Sequence, residues 1–247
     1  MKNKKIKTLG IVLIAFIGFL TAIKIYTFVD SYEIKQNIEL QNKAEIISDT
    51  SIPNNDSSET QTENKETTET SKTLESTESQ EVFEKKEVDI TNINEKYIDK
   101  KYTFEYTDVL QKVGSLEIPI LDLKLPIFKG FLLTEDSMLQ GAITNMVGQK
   151  MGEGNYVLSS HIMANPDLLF SSIHLLEVGD IIYTYDNQYQ YKYKVYDNFV
   201  VTEKDLFITY DVEDYDIITL YTCKYTDNPN IIDRTVIRGV LVDKVKI

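Results

Sequence analysis

The stretch Asp216-Ile-Ile-Thr-Leu-Tyr-Thr-Cys223, followed by Asn230-Ile-Ile-Asp-Arg234-Thr-Val-Ile-Arg238-Gly-Val-Leu-Val242, decides the reading of the chain. Its first part is an apolar, β-branched run with the composition of a buried strand. That run ends on the only cysteine of the protein. The second part is another strand, rich in Ile and Val, with Arg234 at its start. Asp227-Asn228-Pro229 between them is turn chemistry, so the two strands are expected to be neighbours. Upstream, Gly154-Asn-Tyr-Val-Leu-Ser-Ser-His161 is a third strand candidate, and it ends on one of only two histidines. Thiol, imidazole and guanidinium at strand ends form a candidate catalytic trio.

The same pattern continues outward. Short apolar runs separated by turn residues extend back to about Val109, the signature of an all-β domain. Leu116 and Ile118 flank Glu117 at strand spacing, and Pro119 suggests a strand end or edge. Leu121, Leu123 and Leu125 alternate with Asp122 and Lys124. Thr134-Glu-Asp-Ser-Met-Leu-Gln140 starts like an N-capped short helix, and Asp167 to Leu176 reads as a single helical turn with a loop. Val178-Gly179-Asp180 introduces a hairpin with arms at 181–185 and 189–196. In its second arm Tyr189, Tyr191, Tyr193 and Val195 share one face. About eight strands in this length suit a closed barrel, so the fold expected is an all-β, closed eight-stranded barrel with short helices over residues 107–247.

The amino-terminal part differs. Lys2, Lys4, Lys5 and Lys7 precede an apolar run from Leu9 that resumes after Lys24 and reaches Val29. About 20 apolar residues cross a bilayer, and a basic cluster before the span keeps the N-terminus cytoplasmic. Residues 1–30 therefore read as a basic tail and transmembrane signal anchor. A cleaved signal peptide is the rival reading, but no Ala-x-Ala site follows the run. Either way the rest of the chain lies outside the cytoplasm. Residues 31–106 read as a linker and transitional segment. From Ser48 to Glu87 it is Ser, Thr, Glu, Asn and Lys with few large apolar residues, a composition that stays disordered because little surface can be buried. Asp30 to Ile47 could extend the membrane helix by a few turns, and Asp89 to Tyr106 could pack on the domain.

Charge and cysteine usage narrow the function. Acidic residues number 39 against 26 basic ones, a net charge of −13, which argues against a nucleic-acid partner. Exported domains usually pair their cysteines, and a single one cannot form an internal bridge. Cys223 is then either a buried, inert side chain or a working thiol.

The ordered motifs resemble those of sortases, and among them the class A cysteine transpeptidases of Gram-positive envelopes. Thr219-Leu-Tyr-Thr-Cys223 is similar to the family's Thr-Leu-x-Thr-Cys strand. Asp233-Arg234-Thr-Val-Ile-Arg-Gly239 resembles its arginine-bearing strand, and Gly152-Glu-Gly-Asn-Tyr-Val-Leu-Ser-Ser-His161 its approach to the histidine. Gly114-Ser-Leu-Glu-Ile-Pro119, Leu125-Pro-Ile-Phe-Lys-Gly130 and Leu176-Glu-Val-Gly-Asp180 fit the earlier strands. No Asp-Pro-aromatic lid motif of the pilus-assembling class precedes the barrel.

The resemblance implies that Cys223 attacks the carbonyl of a Thr–Gly bond in an LPxTG-like sorting signal, forming a thioacyl-enzyme. His161 would serve as general acid and base. Arg234 would stabilise the oxyanion and hold the substrate, with Arg238, on the same strand face, as its competitor. Thr222, Tyr221, Ser159 and Ser160 are the candidate substrate-binding residues, and the Thr222 hydroxyl or a backbone amide a candidate second oxyanion donor. Relatives often carry Ala-Gly where Ser159-Ser160 stand, and a smaller or aliphatic residue at Tyr221. A peptidoglycan-precursor amine would be the second substrate, and the protein would sit at the cell membrane as a single-pass anchor with its catalytic domain extracellular. No cofactor and no metal are expected, because the segment before the histidine strand offers only Glu153 as a carboxylate. Two other functions remain open on the residues: a thiol peptidase that releases peptides to water, and a tethered, non-enzymatic β-domain. His174, among Ile173, Leu175 and Leu176, is read as structural.

Overall fold

The structure is a computed structural model. It describes residues 29, 31–44, 87–98, 103–133, 136–224 and 232–247. The expected membrane span at 9–29 lies almost wholly outside the described residues, as do the acidic linker centred on 54–71 and the turn at 227–229. Among the described residues no helix is long and apolar enough to cross a membrane.

Twelve strands follow one another: β1 (Tyr97–Ile98), β2 (Tyr106–Thr107), β3 (Lys112–Ile118), β4 (Leu123–Phe128), β5 (Phe131–Leu132), β6 (Ala142–Thr144), β7 (Asn155–Ser159), β8 (Ile181–Tyr185), β9 (Tyr189–Thr202), β10 (Asp211–Val212), β11 (Ile217–Lys224) and β12 (Asp233–Lys246). Eight of them close a barrel in the order β11-β12-β9-β8-β3-β4-β6-β7. Closure leaves the large strands without free edges. Pairing within the barrel is antiparallel except for β4 with β6 and β11 with β7.

The alternation seen in the sequence sets which side chains fill the barrel. Leu116, Ile118, Leu125, Tyr191, Tyr193, Val195, Ile218, Leu220 and Ile237 belong to one buried cluster. Each large side chain fully removed from water contributes about 1.5–3 kcal/mol before entropy is counted. One strand assignment is corrected. Leu121 does not open β4 but closes a 3-10 turn, Pro119–Leu121, that Pro119 begins. Proline presets φ for a first helical position and has no N–H to leave unpaired there. Asp122 then takes φ 48, which ends the turn and starts the strand at Leu123. The short helix expected near 134–140 is likewise a single 3-10 turn, Ser137–Leu139. Its cap is Asp136, whose side chain accepts from the Met138 N–H; Thr134 lies outside the described residues.

Two segments that precede the barrel in sequence are packed on it. Residues 31–43 form a helix, α1, whose Ile38 is buried in the main core with Ile34 against it. The Lys112 ammonium donates to the carbonyls of Gln41, Asn42 and Ala44 at 2.7, 2.9 and 2.7 Å. A cation thereby satisfies carbonyls that the end of a helix leaves without partners.

The second segment, 87–98, makes a turn at Ile90 and Thr91 and ends in β1. Val88, Ile90 and Ile93 pack against Val212, Ile217 and Val240, and β1 pairs with β10. Glu95 reaches the fully buried Arg238, Nη1 to Oε1 2.5 Å, and also accepts from the hydroxyls of Tyr97 and Tyr196. Burial alone would raise the Glu95 carboxyl, but those two hydroxyls and the Arg238 charge outweigh it and hold the group below its ordinary value. Arg238 donates further to the Tyr97 hydroxyl and the Phe207 carbonyl and lies over the rings of Tyr97, Phe199 and Phe207.

Arg238 is thus bound into the structure through a segment about 140 residues away in sequence. Removing one partner of a buried pair leaves an uncompensated charge, at a cost of about 3–5 kcal/mol. Glu95→Gln should therefore destabilise the domain by about that much in urea unfolding at pH 7. Because the folded carboxyl lies below its ordinary 4.5, its contribution is present above that pH and lost as pH falls below it. The gap between wild type and variant should close in acid; a gap that stays constant to pH 3 would contradict the pairing.

Candidate active site

Cys223 is placed by the register of β11 against both of its neighbours. In the antiparallel pair with β12, Cys223 faces Arg234 directly and Tyr221 faces Val236. In the parallel pair with β7, the last matched residues are Tyr221 and Ser159. His161 and Cys223 each lie two residues beyond that pair, so the two parallel strands deliver imidazole and thiol to the same end of the barrel. Ile217 to Leu220 are all buried, which anchors β11 in the core and leaves its last residues at the surface. Cys223 itself is half-buried and free.

The Arg234 guanidinium donates from Nη1 to Cys223 Sγ at 2.8 Å. The nucleophilic form of cysteine is the thiolate, and a fixed positive charge against the sulfur is complementary to it. Arg234 also lies over the Tyr221 ring, 5.8 Å from its centroid. Tyr221 packs in turn with Phe199, Phe207, Val201, Ile208 and Val236. Burial pushes the Tyr221 phenol up, against a hydrogen bond to Ser159 and the Arg234 charge, so the ring stays neutral at physiological pH. A neutral aromatic face is what a guanidinium stacks on.

The backbone around His161 is clamped on both sides. Its carbonyl accepts from Phe170 N–H at 3.0 Å, and Ile162 bridges Leu169. The Thr222 hydroxyl donates to the Ser160 carbonyl at 2.8 Å, tying the residue before the histidine to the residue before the cysteine. His161 Nε2 lies 2.6 Å from Asp136 Oδ2. Asp136 stands on the 3-10 turn between β5 and β6, and nothing in the linear spacing links it to His161, 25 residues on.

The remaining candidates are placed as follows. The Ser159 hydroxyl accepts from Asn145 Nδ2 at 2.9 Å and meets Met138 Sδ at 3.6 Å. The Ser160 hydroxyl is shared between the carbonyls of Met138 and Gly141, at 3.2 and 2.8 Å. Both serines are buried, as is Thr222, and all three hydroxyls are engaged within the fold. Of the four, Tyr221 is half-buried and lies beside Arg234. Arg238 is not brought to the thiol: it is fully buried with Glu95 and the β9–β11 connection. His174 stands on a separate 3-10 turn, Ile173–Leu175, with Nδ1 3.1 Å from the Ser171 carbonyl. Among the described residues no group of three or more His, Cys, Asp or Glu is placed to hold a metal ion.

Fold and site together define a closed β-barrel that brings a cysteine, a histidine and an arginine to one of its ends. A family model described as the sortase domain matches residues 116–242, just over half of the chain. The Sortase A of Bacillus anthracis is 38% identical over 157 residues, which cover 62% of this chain and 67% of that protein. The Sortase A of Listeria monocytogenes is 36% identical over 111 residues, 45% of this chain and 49% of that one. The solved structure of Listeria monocytogenes sortase A superimposes with a TM-score of 0.51 at 33% identity, covering 55% of this chain and 90% of that one. The chain belongs to the sortase family.

Thr222 gives a direct test of how the site is held. Thr222→Val keeps the shape but leaves the Ser160 carbonyl without its donor, a loss of about 1–3 kcal/mol for a buried polar group. Urea unfolding should register that loss, with reduced turnover at unchanged Cys223 alkylation. Wild-type stability in the variant would show that the hydroxyl does not link the two strands.

Proposed function

We propose that the protein is a class A sortase, anchored in the membrane by residues 9–29, that cleaves an LPxTG-like sorting signal at its Thr–Gly bond. The observation that carries the reading is the 2.8 Å contact between Arg234 Nη1 and Cys223 Sγ, at the end of the strand that runs parallel to the one leading into His161. The relatives named Sortase A favour the housekeeping class, and the basic cluster before the apolar run favours a cytoplasmic N-terminus with the barrel outside. The acidic segment between them serves as a tether.

In this reading the Cys223 sulfur attacks the threonine carbonyl carbon, and the carbonyl electron pair moves onto oxygen. Arg234, a planar fork of donors with a fixed charge, stabilises that oxyanion and holds the peptide backbone beside the thiol. Collapse of the tetrahedral species breaks the C–N bond, and protonated His161 gives a proton to the departing glycine amine. The thioester that remains is attacked by the amine of a peptidoglycan precursor. His161 takes the proton from that amine, and the sulfur leaves. The surface protein ends in amide linkage to the cell wall, and cysteine and histidine return to their starting states.

Incubation of the full-length chain with a Leu-Pro-x-Thr-Gly peptide and oligoglycine should yield the amine-captured product by mass spectrometry. Cys223→Ala should abolish it, and Arg234→Met should reduce kcat by roughly 100-fold or more, the usual effect of losing an oxyanion donor. Release to water alone, with no capture by any amine, would make the protein a peptidase. An alkylation-resistant cysteine with no turnover would make it a binding domain. Activity is expected to be independent of calcium, since too few carboxylates adjoin the histidine strand; a several-fold drop on chelation would contradict this.

A further inference from the structure

The turn carrying Asp136 is held against the strand that delivers His161 by two buried serines, Ser159 and Ser160. Ser160 Oγ bonds the carbonyls of Met138 and Gly141, and Ser159 Oγ meets Met138 Sδ. The turn is closed internally by Leu139 N–H to Asp136 carbonyl and Gln140 N–H to Ser137 carbonyl. It is fixed to β5 by Leu132 N–H to the buried Ser137 hydroxyl, 3.4 Å. Alanine and glycine at 159 and 160 would supply none of the serine contacts. Ser159 and Ser160 thereby tie the 136–141 turn to the residues that lead into His161.

The Asp136 carboxylate divides its two oxygens. Oδ1 accepts from the Met138 N–H at 3.2 Å, and Oδ2 lies 2.6 Å from His161 Nε2. A carboxylate only accepts, so Nε2 carries the hydrogen of that contact. In the neutral ring the free lone pair is then on Nδ1. We propose that Asp136 is a positioning residue for His161, holding the imidazole in the Nε2–H tautomer so that Nδ1 alone exchanges protons with the two amines of the reaction. The inference rests on the general acid–base role proposed for His161. When the ring is neutral, Nδ1 accepts the proton of the incoming amine. When it is protonated, Nδ1–H supplies the proton to the leaving amine, while the positive ring stays hydrogen-bonded to a negative carboxylate. Asp136 neither gains nor loses a proton in the cycle and touches no reacting atom. Its effect is on which nitrogen works and where that nitrogen stands.

The test uses the full-length chain and three variants. Asp136→Asn is isosteric and can keep the cap on Met138 N–H while losing the negative charge. Asp136→Ala loses both, and Ser160→Ala loosens the turn without touching the carboxylate. Expected for Asp136→Asn is a fall in kcat of about tenfold or more, part of the 10²–10⁴ that general acid–base catalysis supplies. The peptide KM should stay within about twofold, because the substrate contacts of Arg234 and Tyr221 are unaltered. Ser160→Ala should show a smaller fall in kcat of the same character. Long-range ¹H–¹⁵N correlation spectra, recorded at a pH high enough to leave the His161 ring neutral, should show one fixed Nε2–H tautomer in the wild type and averaging toward both tautomers in Asp136→Ala. Wild-type kcat in Asp136→Asn, or an unchanged ring spectrum in Asp136→Ala, would overturn the proposal. So would a loss of kcat that only follows a lowered melting temperature. Full activity in His161→Ala would sink the acid–base role itself, whereas the ring spectrum decides the role of Asp136 without turnover.

Discussion

Strand direction around β11 is the constraint on which the site depends. A parallel pair of strands finishes at the same end, and an antiparallel partner begins there. β11 has one neighbour of each kind, β7 and β12. The last residues of β7 and β11 and the first of β12 therefore gather at one mouth of the barrel, bringing His161, Cys223 and Arg234 with them. Because side chains alternate along a strand, a slip of one residue would turn Cys223 to the opposite face. The same slip would exchange Ile218 and Leu220, which fill the main core, with Ile217 and Thr219, which face a smaller cluster and Asn155, so the core that stabilises the barrel also enforces the geometry of the thiol.

The site is supported from two sides by groups that do no chemistry. On the histidine side, Thr222, Ser159 and Ser160 join β11, β7 and the 136–141 turn through buried hydroxyls. On the arginine side, Arg234 rests on Tyr221, and Tyr221 packs with Phe199, Phe207 and Ile208 of β9 and the β9–β11 connection. That connection is held by Arg238 at the Phe207 carbonyl and by Asn155, which donates to the carbonyls of Ile208 and Tyr210. Arg238 and Arg234 are thus two ends of one packed layer, one paired with Glu95 and the other with the Cys223 sulfur.

Much of the barrel was legible because its information is local. Alternation in Tyr189-Gln-Tyr-Lys-Tyr-Lys-Val195 states which face is buried, and Asp186 marks the hairpin turn by accepting from the Gln188 and Tyr189 N–H groups. Cys223, His161 and Arg234 could be singled out because each stands within two residues of a strand's end or start. What was not legible depends on contacts between distant residues. Leu121 alternates with Leu123 as well as any strand residue does, and only the turn begun by Pro119 separates them. Ser159 and Ser160 look like groove residues until Met138 and Gly141 are seen beside them. Asp136 lies inside the stretch read as an N-capped short helix and caps its 3-10 turn, and no linear pattern shows that its second oxygen meets an imidazole. Glu95 lies in a stretch with no sequence signal joining it to Arg238.

In the proposed reaction the mouth of this barrel carries a covalent chemistry in which Cys223 alone bonds to the substrate. The most direct test is the intact mass of the full-length chain after brief exposure to a Leu-Pro-x-Thr-Gly peptide with no amine added. The predicted result is an added mass equal to the peptide up to its threonine acyl group, localised to Cys223 by fragmentation and discharged by hydroxylamine. An unmodified chain alongside cleaved peptide, or an adduct on any other residue, would contradict it.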